Sequence, residues 1–270
     1  MKAIVLCAGQ GKRLLPLTEG APKCLLPVDG ERTILELQLD TLARCGVTRA
    51  SVVVGFRSEL VEDFLASRPI AGIETEAIFN PFYALTDNLV SCWFARDAMT
   101  SDFLLLNGDT LFEEEVLRRV LTSRAPRVVT IDRKERYDDD DMKVELEGSR
   151  LRAIGKTLPR ERVNAESIGL LAFRGAGVHS MRSAFEAAVR SPDTLHAWYL
   201  SAVNTLAQRL PVETVSAEGL WWREIDDHAD LEELLAGTHH LSIAFPGRSR
   251  RAASIAHTSA SSASSPRGVS

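Results

Sequence analysis

In residues 6–26, LCAGQGKRLLPLTEGAPKCLL, an apolar segment runs into a glycine turn with two cations. Gly9 and Gly11 allow the backbone to bend sharply and to bring its N–H groups close to a ligand. Arg13 offers a planar fork of donors for phosphate oxygens, and Lys23 offers a compact positive charge. The stretch therefore predicts a phosphate-binding loop.

This loop differs from the two common phosphate-binding motifs. A P-loop ends in Gly-Lys-Ser/Thr, but no Ser or Thr follows Lys12. A dinucleotide fingerprint has a third glycine three residues after the second, and Leu14 occupies that position. A solvated turn is the alternative for the two glycines alone. The added PLT at 16–18 and PK at 22–23 favour a functional site.

Composition limits the class of protein. The 270-residue chain has a formal charge of -5, and residues 246–270 contain four arginines and no acid, so residues 1–245 carry -9. An acidic body argues against general nucleic-acid binding, which depends on broad positive potential. No run approaches the roughly 18 apolar residues of a membrane span, and MKAIVLCAG predicts a first strand rather than a signal peptide. The four cysteines show no CxxC pairing and predict reduced core residues of a cytoplasmic protein.

Apolar segments alternate with helical patterns through the first half of the chain, as in RASVVVGF followed by SELVEDFLAS. This alternation predicts an α/β fold with a Rossmann-like, mostly parallel central sheet and helices on both faces. The second half adds an inserted β-hairpin, MKVELEGSRLRAIGK, which turns on Gly148-Ser149. We expect one folded domain over 1–245 and a disordered Ser/Ala/Arg tail over 246–270. Further helices are predicted over 33–45, 176–190, 194–209 and 227–240.

Two acidic residues stand where predicted strands end, and ligands bind beyond the carboxyl ends of strands in such sheets. Asp109 follows the apolar FLLLN, and Asp226 follows LWWREI, with Asp227 as the better candidate for a helix cap. Mg²⁺ takes one or two carboxylates and completes its shell with substrate phosphates. Two unrelated helix caps are the alternative, but the phosphate-binding loop favours a magnesium site at Asp109 and Asp226.

Strand alternation in the hairpin predicts which side chains share a face. With Gly148-Ser149 as the turn, Lys143 faces Ile154, and Lys143 and Lys156 lie on one face. Two lysines close to a ligand crevice would hold a second phosphate-like group. A solvated hairpin face is the alternative.

Two further segments offer polar groups to a substrate. NPFYALTDNLVSCW supplies Asn80, Asn88 and Ser91, whose amide and hydroxyl groups can hydrogen-bond to the edge of a base. The acidic run 138–141 is a solvated loop in the simplest interpretation, and in a second one it meets a cationic head group of the substrate. The six histidines show no ligand spacing, and no Ser/His/Asp or Cys/His arrangement is present.

The pattern GxGxR, PLT and PK resembles the signature of the nucleotidyltransferases that make nucleotide-activated sugars and alcohols, and the resemblance covers nearly all of residues 1–240. NPFYALTDNLVSCW, DDDDMKV and EIDDHADLEELL look most like the cytidylyltransferase branch that acts on phosphocholine, inositol phosphate or phosphonates. DMKV, IGK and ESIG look most like the phosphonate enzymes. The resemblance implies a GT-A-like nucleotidyltransferase domain over 1–245, CTP as donor, Mg²⁺ as cofactor and a small phosphonate or phosphate-monoester acceptor.

The resemblance also implies roles for single residues. The implied catalytic cations are Arg13, Lys23 and Lys156, and the implied metal ligands are Asp109 and Asp226. The implied nucleotide-binding residues are Leu6, Ala8, Gly9, Gly11, Lys12, Arg13, Lys23, Asn80, Asn88, Ser91 and Asp109. The implied acceptor-binding residues are Lys143, Lys156, Asp141 and Glu166.

The identity of the acceptor stays open among 2-aminoethylphosphonate, 2-hydroxyethylphosphonate and phosphocholine. A sugar-1-phosphate or inositol-phosphate nucleotidyltransferase is the alternative. A non-catalytic regulatory subunit is a third hypothesis, which the presence of Arg13, Lys23, Asp109 and Asp226 disfavours. The sequence predicts no nucleic-acid or membrane partner and leaves the oligomeric state open, with a homodimer as one expectation.

Overall fold

The computed structural model describes residues 1–191 and 195–237. The strands β1 to β13 are Lys2–Cys7, Pro27–Asp29, Arg32–Thr33, Arg49–Val54, Glu74–Phe79, Phe103–Asn107, Thr110–Phe112, Arg127–Asp132, Lys143–Glu147, Arg150–Ile154, Ala165–Phe173, Glu213–Ser216 and Trp222–Glu224. The helices α1 to α7 are Ile34–Arg44, Ser58–Ser67, Asn88–Phe94, Glu114–Thr122, Ala176–Val189, Tyr199–Ala207 and His228–Ala236. The predicted tail over 246–270 lies outside the described residues.

A nine-stranded sheet in the order β5-β4-β1-β6-β11-β8-β12-β10-β9 forms the centre of the fold. The first four strands of this order are parallel neighbours, and β12 is also parallel to β8. β11 runs antiparallel between β6 and β8, and the hairpin β9–β10 forms the far edge. The predicted α/β architecture with its inserted hairpin is confirmed, but the sheet is mixed rather than mostly parallel, because four of its eight neighbouring strand pairs are antiparallel.

Apolar layers cover both faces of the sheet, which explains why its central strands are apolar throughout. Neighbouring residues of β1 show the division: Ile4 packs in a cluster with Phe185 of α5, and Val5 in a cluster with Leu39 of α1. All four are buried, and burying a side chain of this size contributes about 1.5–3 kcal/mol. The helices therefore lie on both faces, as the sequence pattern predicts.

Local sequence patterns set several helix ends. The Thr33 side chain accepts a hydrogen bond from the Glu36 N–H at the start of α1, and Gly46, with φ +82°, follows the end of that helix. Asp227 caps α7, as predicted, and the structure adds a capping box with Asp230. The helix predicted over 194–209 begins later, at Tyr199, and the predicted residues of α7 beyond 237 lie outside the described ranges.

Two further expectations concern the state of the cysteines and the presence of membrane-spanning segments. All four cysteines are free thiols, as expected, and Cys7, Cys24 and Cys92 are buried, whereas Cys45 is half-buried rather than a core residue. Within the described ranges, the helices are too short or too polar to cross a membrane.

Candidate active site

A crevice of about 350 Å³ opens at the carboxyl ends of β1 and β6, where a ligand is expected in a sheet of this order. The predicted residues that line it are Leu6, Ala8, Gly9, Arg13, Asn88, Ser91, Asp109, Lys156 and Asp226. Gly11 and Lys23 line an adjoining cavity of about 130 Å³, which shares Gly9 and Asp109 with the crevice. Lys12 is exposed and lines neither space, so the structure does not place it with the other predicted nucleotide-binding residues.

The glycine turn and the lysine that follows it form one structural unit. Gly11 has a φ of +74°, and a Cβ at this position would lie 2.8 Å from the Cβ of Lys23. Only glycine therefore permits both the left-handed backbone and the close approach of the Lys23 stem. The Thr18 hydroxyl donates a hydrogen bond to the Gly11 carbonyl at 2.9 Å and closes the loop. This explains why the glycines, the PLT and the PK occur together.

Lys23 links the two predicted metal ligands. Its ammonium lies 2.7 Å from Asp109 Oδ2 and 2.6 Å from Asp226 Oδ1, and the residue is only 9% exposed. Burial lowers the pKa of Lys23, but the two carboxylates outweigh burial and raise it above its ordinary value. Burial raises the pKa of Asp226, but Lys23 and Arg13 outweigh it and hold that pKa below its ordinary value. Lys23 is therefore a fixed positive charge between two carboxylates.

A second set of charges lies on the other side of Asp226. The Arg13 guanidinium contacts Asp226 Oδ2 at 2.8 Å and Asp140 Oδ2 at 2.9 Å. The other oxygen of Asp140 lies 3.4 Å from the Lys156 ammonium, which lies 4.2 Å from the ring centre of Trp198. Asp140, one of the acidic run, thus joins the cation of the phosphate-binding loop to the cation predicted to bind the acceptor.

The carboxylates of Asp109, Glu224 and Asp226 form a group with ligand oxygens within 4.8 Å of one another. Burial, with the charges of Asp109 and Asp226, raises the pKa of Glu224 to about 8. Asp109 Oδ1 is buried and has no hydrogen-bond partner among the described residues. Hard oxygen donors with an unpaired buried lone pair suit Mg²⁺, so the residues present fit the predicted ion.

Glu224 is a candidate ligand that sequence reasoning missed. It lies in β13, two residues before Asp226, so both side chains point to the same side of the chain. The spacing Glu-Ile-Asp was therefore sufficient to predict it beside Asp226.

The crevice lining also includes Tyr83, Asn88 and Ser91. Asn80, predicted to bind nucleotide, is instead fully buried and lies outside the lining. Its amide Nδ2 donates a hydrogen bond to Ser91 Oγ at 3.0 Å, and its Oδ1 accepts one from the Phe82 N–H at 2.9 Å. Asn80 supports a residue of the crevice, which strand and helix patterns alone could not show.

Three of the predicted acceptor-binding residues, Lys143, Asp141 and Glu166, lie outside the crevice lining. Asp141 and Glu166 contact Lys134 at 2.7 and 3.0 Å, and Lys143 is 2% exposed with no hydrogen-bond partner for its ammonium among the described residues. Burial, only partly offset by Lys134, raises the pKa of Glu166 to about 7.

The prediction that Lys143 and Lys156 share a face is wrong because the hairpin contains a bulge. Glu147 pairs with Arg150 as predicted, but the register shifts at Arg152, so that Val144 rather than Lys143 faces Ile154. An added residue in one strand moves every later side chain to the other face. Lys156 therefore reaches the crevice, whereas Lys143 points to the opposite side of the hairpin.

Comparisons with known proteins identify the family and the fold of this chain. The family model of the MobA-like NTP transferase domain matches residues 3–219. CMP-5′-(3-aminopropyl)phosphonate synthase of Streptomyces rubellomurinus is 38% identical over 133 residues, 49% of this chain and 21% of that protein. The chain spans between about a fifth and a half of the length of the curated relatives it matches.

Two solved structures share the fold. The inositol-1-phosphate CTP transferase of T. maritima superposes with a TM-score of 0.73 at 22% identity and covers 89% of this chain and 96% of its own. The CTP:phosphocholine cytidylyltransferase of Streptococcus pneumoniae gives 0.72 at 21% identity and covers 88% of this chain and 98% of its own. At such identities the likeness establishes the fold and not the substrate.

Proposed function

The chain belongs to the MobA-like NTP transferase family, and we propose that it is a Mg²⁺-dependent cytidylyltransferase. It transfers CMP from CTP to a small phosphonate or phosphate monoester and releases pyrophosphate. The relative from Streptomyces rubellomurinus, whose name describes a CMP-phosphonate product, supports this choice of donor and acceptor.

The observation that carries the proposal is the position of Asp140 between two cations. Arg13 belongs to the phosphate-binding loop, Lys156 to the segment after the hairpin, and one carboxylate bridges both, at 2.9 and 3.4 Å. Two phosphate-like groups held by Arg13 and Lys156 would therefore be close neighbours. A reaction between two such groups needs this arrangement, because reacting atoms must approach each other in a favourable orientation.

The chemistry requires few proton transfers. An oxygen of the acceptor attacks the α-phosphorus of CTP, a new P–O bond forms, and the bond to the β-phosphate breaks with its electron pair leaving on pyrophosphate. A phosphate monoester has a second pKa of about 6, so the attacking oxygen is already ionised at neutral pH. Arg13, Lys23 and Lys156 hold the two anions together and neutralise their charge.

Mg²⁺ is the proposed cofactor of this site. Asp109 and Asp226, with Glu224 beside them, would hold the ion, and the bound ion would neutralise charge on the triphosphate. Lys23 now makes ion pairs with both aspartates. The ammonium and the ion would therefore share the same carboxylates.

The surroundings of Lys156 favour an acceptor that has a positive as well as a negative group. The Lys156 ammonium lies between the Asp140 carboxylate and the face of Trp198. A carboxylate and an aromatic ring face placed side by side form a suitable binding site for an ammonium ion. A substrate ammonium would take up the same pair of contacts once Lys156 binds the phosphonate. This supports 2-aminoethylphosphonate or phosphocholine over a neutral alcohol.

Pyrophosphate release tests the proposal directly. CTP, UTP, GTP, ATP and dTTP would each be incubated with Mg²⁺ and with 2-aminoethylphosphonate, 2-hydroxyethylphosphonate, phosphocholine, inositol 1-phosphate or glucose 1-phosphate. We expect release from CTP with a phosphonate or phosphocholine. Release only with a sugar or inositol phosphate would reassign the acceptor, and no release with any pair would contradict the proposed activity.

A further inference from the structure

Asn107 is the last residue of β6, two positions before Asp109, and its side chain lines the crevice. The two ends of its amide contact two other residues of the crevice lining. Nδ2 lies 3.5 Å from Glu224 Oε1, which is a long hydrogen bond, and Oδ1 accepts a hydrogen bond from the Tyr199 hydroxyl at 3.1 Å. One amide therefore connects a candidate metal ligand to a tyrosine of α6.

An irregularity in β11 makes room for this amide. The pairing of β11 with β8 shifts between Ser167 and Leu171, and Gly169, which lies within this shift, has a φ of +75°. A Cβ on Gly169 would lie 2.4 Å from Asn107 Nδ2. Only glycine therefore permits both this backbone conformation and an amide beside it. Bulges of this kind are common next to active sites, and this one leaves a slot that the amide fills.

The hydroxyl that contacts the other end of the amide belongs to a buried side chain. Tyr199 begins α6 and is only 1% exposed. Its backbone N–H donates a hydrogen bond to Asn88 Oδ1 at 2.8 Å, which ties the start of α6 to α3. A ring in a close-packed interior has little freedom to move, so the position of the Tyr199 hydroxyl is fixed.

The backbone that carries Asn107 is fixed as well. The side chain of Gln38, on α1, is 1% exposed and donates from Nε2 to the carbonyl oxygens of Asn107 and Thr110, both at 2.8 Å. Asp109 lies between these two carbonyl groups in the chain. Three separate elements, α1, α6 and β11, therefore determine where the Asn107 amide lies.

The partners of the amide also determine which way it points. A carboxylate that binds a metal ion is ionised and can only accept hydrogen bonds, so it must face the NH₂ group of Asn107. The amide oxygen then faces Tyr199, whose O–H can donate to it. The same orientation satisfies both partners when Glu224 binds an ion.

We infer that Asn107 is a positioning residue that holds Glu224 as a third ligand of the divalent cation, beside Asp109 and Asp226. A carboxylate that is already held loses less side-chain freedom when the ion binds, which strengthens binding. The inference rests on the proposed function, because that proposal assigns the ion to this group of carboxylates.

Binding of Mn²⁺, used as a probe for the divalent cation, tests the inference without nucleotide or acceptor. Electron paramagnetic resonance would measure free Mn²⁺ in titrations of the wild type, Asn107→Ala, Glu224→Ala and the variant with both changes. We expect each single change to weaken Mn²⁺ binding by at least about tenfold. The double variant should bind no more weakly than Glu224→Ala, because Asn107 acts through Glu224.

Tyr199→Phe is a milder variant, since it removes one hydroxyl and keeps the ring. It should weaken Mn²⁺ binding about fivefold, and this effect should also disappear in the Glu224→Ala background. Tyr83→Phe is the matched control, because it removes the same group from another residue of the crevice lining and should leave Mn²⁺ affinity unchanged. Melting temperatures would show that each variant is folded during the titration.

Two kinds of result would overturn the inference. Losses that add in the double variant would mean that Asn107 supports the fold around Asp109 rather than Glu224. Unchanged Mn²⁺ affinity in Asn107→Ala, or a wild type that binds no Mn²⁺, would mean that the amide does not position a metal ligand.

Pyrophosphate release by the wild type separates this inference from the proposed function. Release from CTP together with additive losses of Mn²⁺ affinity would leave a cytidylyltransferase whose ion is held without Asn107. Losses that do not add, without release for any nucleotide and acceptor, would support the role of Asn107 and contradict the proposed reaction.

Discussion

The ammonium nitrogen of Lys23 lies 2.6 Å from a carboxylate oxygen of Asp226, 203 positions further along the chain. The contact ties the turn after β1 to the strand end before α7. Asp109, at the end of β6, contacts the same ammonium at 2.7 Å. One side chain therefore holds together three segments that line the crevice.

Replacing Lys23 with methionine leaves the carboxylates of Asp109, Glu224 and Asp226 without this cation. We expect Lys23→Met to lower the free energy of unfolding by about 3–5 kcal/mol, as for breaking a buried ion pair, and to abolish pyrophosphate release. Urea denaturation measures the first effect. Added Mg²⁺ should raise the melting temperature of the variant more than that of the wild type, because no ammonium competes for the carboxylates. Equal responses to Mg²⁺ would contradict this competition.

The bulge at Arg152 predicts opposite results for the two lysines of the hairpin segment. Lys156→Met should lower kcat/KM for the acceptor by at least about a hundredfold and leave the affinity for CTP unchanged, because Lys156 lines the crevice and is the residue proposed to bind the acceptor. Lys143→Met should leave kcat/KM unchanged and raise the free energy of unfolding by about 1–3 kcal/mol, since it removes a buried ammonium without a hydrogen-bond partner. A loss of acceptor affinity in Lys143→Met would restore the face predicted from the sequence.

Asp140 is expected to distinguish charged from neutral acceptors. Asp140→Asn should raise the KM for 2-aminoethylphosphonate about tenfold and leave that for 2-hydroxyethylphosphonate unchanged or lower, because only the first acceptor has an ammonium group. The melting temperature should hardly change, since the side chain of Asp140 is 69% exposed. Asp139→Asn is the matched control, because Asp139 lies outside the crevice lining. Equal changes in KM for both acceptors would show that Asp140 does not contact the ammonium.

Glu166 should make the protein less stable as the pH rises through the weakly acidic range. Burial raises the pKa of Glu166 from 4.5 to about 7. The charge of Asp141 also raises this pKa, and the charge of Lys134 lowers it without offsetting burial. The folded protein therefore keeps a proton that the unfolded chain has lost, so this contribution to stability is complete below about pH 4.5 and is lost as the pH rises to about 7.

The variant Glu166→Gln has no titratable group at this position, so comparing it with the wild type isolates the contribution of Glu166 to the pH dependence of stability. Urea denaturation of both proteins between pH 4.5 and 7.5, without metal ions, should show the unfolding free energy of the wild type falling relative to that of the variant. Glu224, whose pKa is raised in the same direction, is present in both proteins, so it cancels in the difference. A difference that is constant with pH would mean that Glu166 is ionised in the folded protein at acidic pH.

Local patterns predicted the elements and the ends of strands where the site lies. Asp109 and Asp226 could be predicted because each follows an apolar strand, and Asp227 because a capping residue precedes a helical pattern. Arg13 and Lys23 were recognisable because the glycine turn and the PK turn are close together in the chain. These features depend on neighbours in sequence, which periodicity and turn chemistry describe.

The remainder depended on packing between distant segments. A bulge at Arg152 leaves the alternation of the printed sequence intact, so the change of face between Lys143 and Lys156 could not be predicted from it. Asn80, directly after β5, is fully buried and donates a hydrogen bond to Ser91 of α3, and both facts depend on how these segments pack. The acidic run likewise gave no indication of which of its four carboxylates would lie between Arg13 and Lys156.

The charges of the crevice alternate in sign along one continuous path. In order, this path comprises Lys156, Asp140, Arg13, Asp226, Lys23 and Asp109. Each charge already has an opposite neighbour within the protein, so a ligand enters by exchange: an incoming anion takes the place of an internal carboxylate, and an incoming cation that of an internal ammonium. Such a site resembles an ion exchanger. When an anionic ligand binds here, fewer salt ions are released to the solvent than when the same ligand binds a cluster of basic residues that has no internal carboxylates. The affinity for nucleotide should accordingly depend less on salt concentration than the number of its charges suggests.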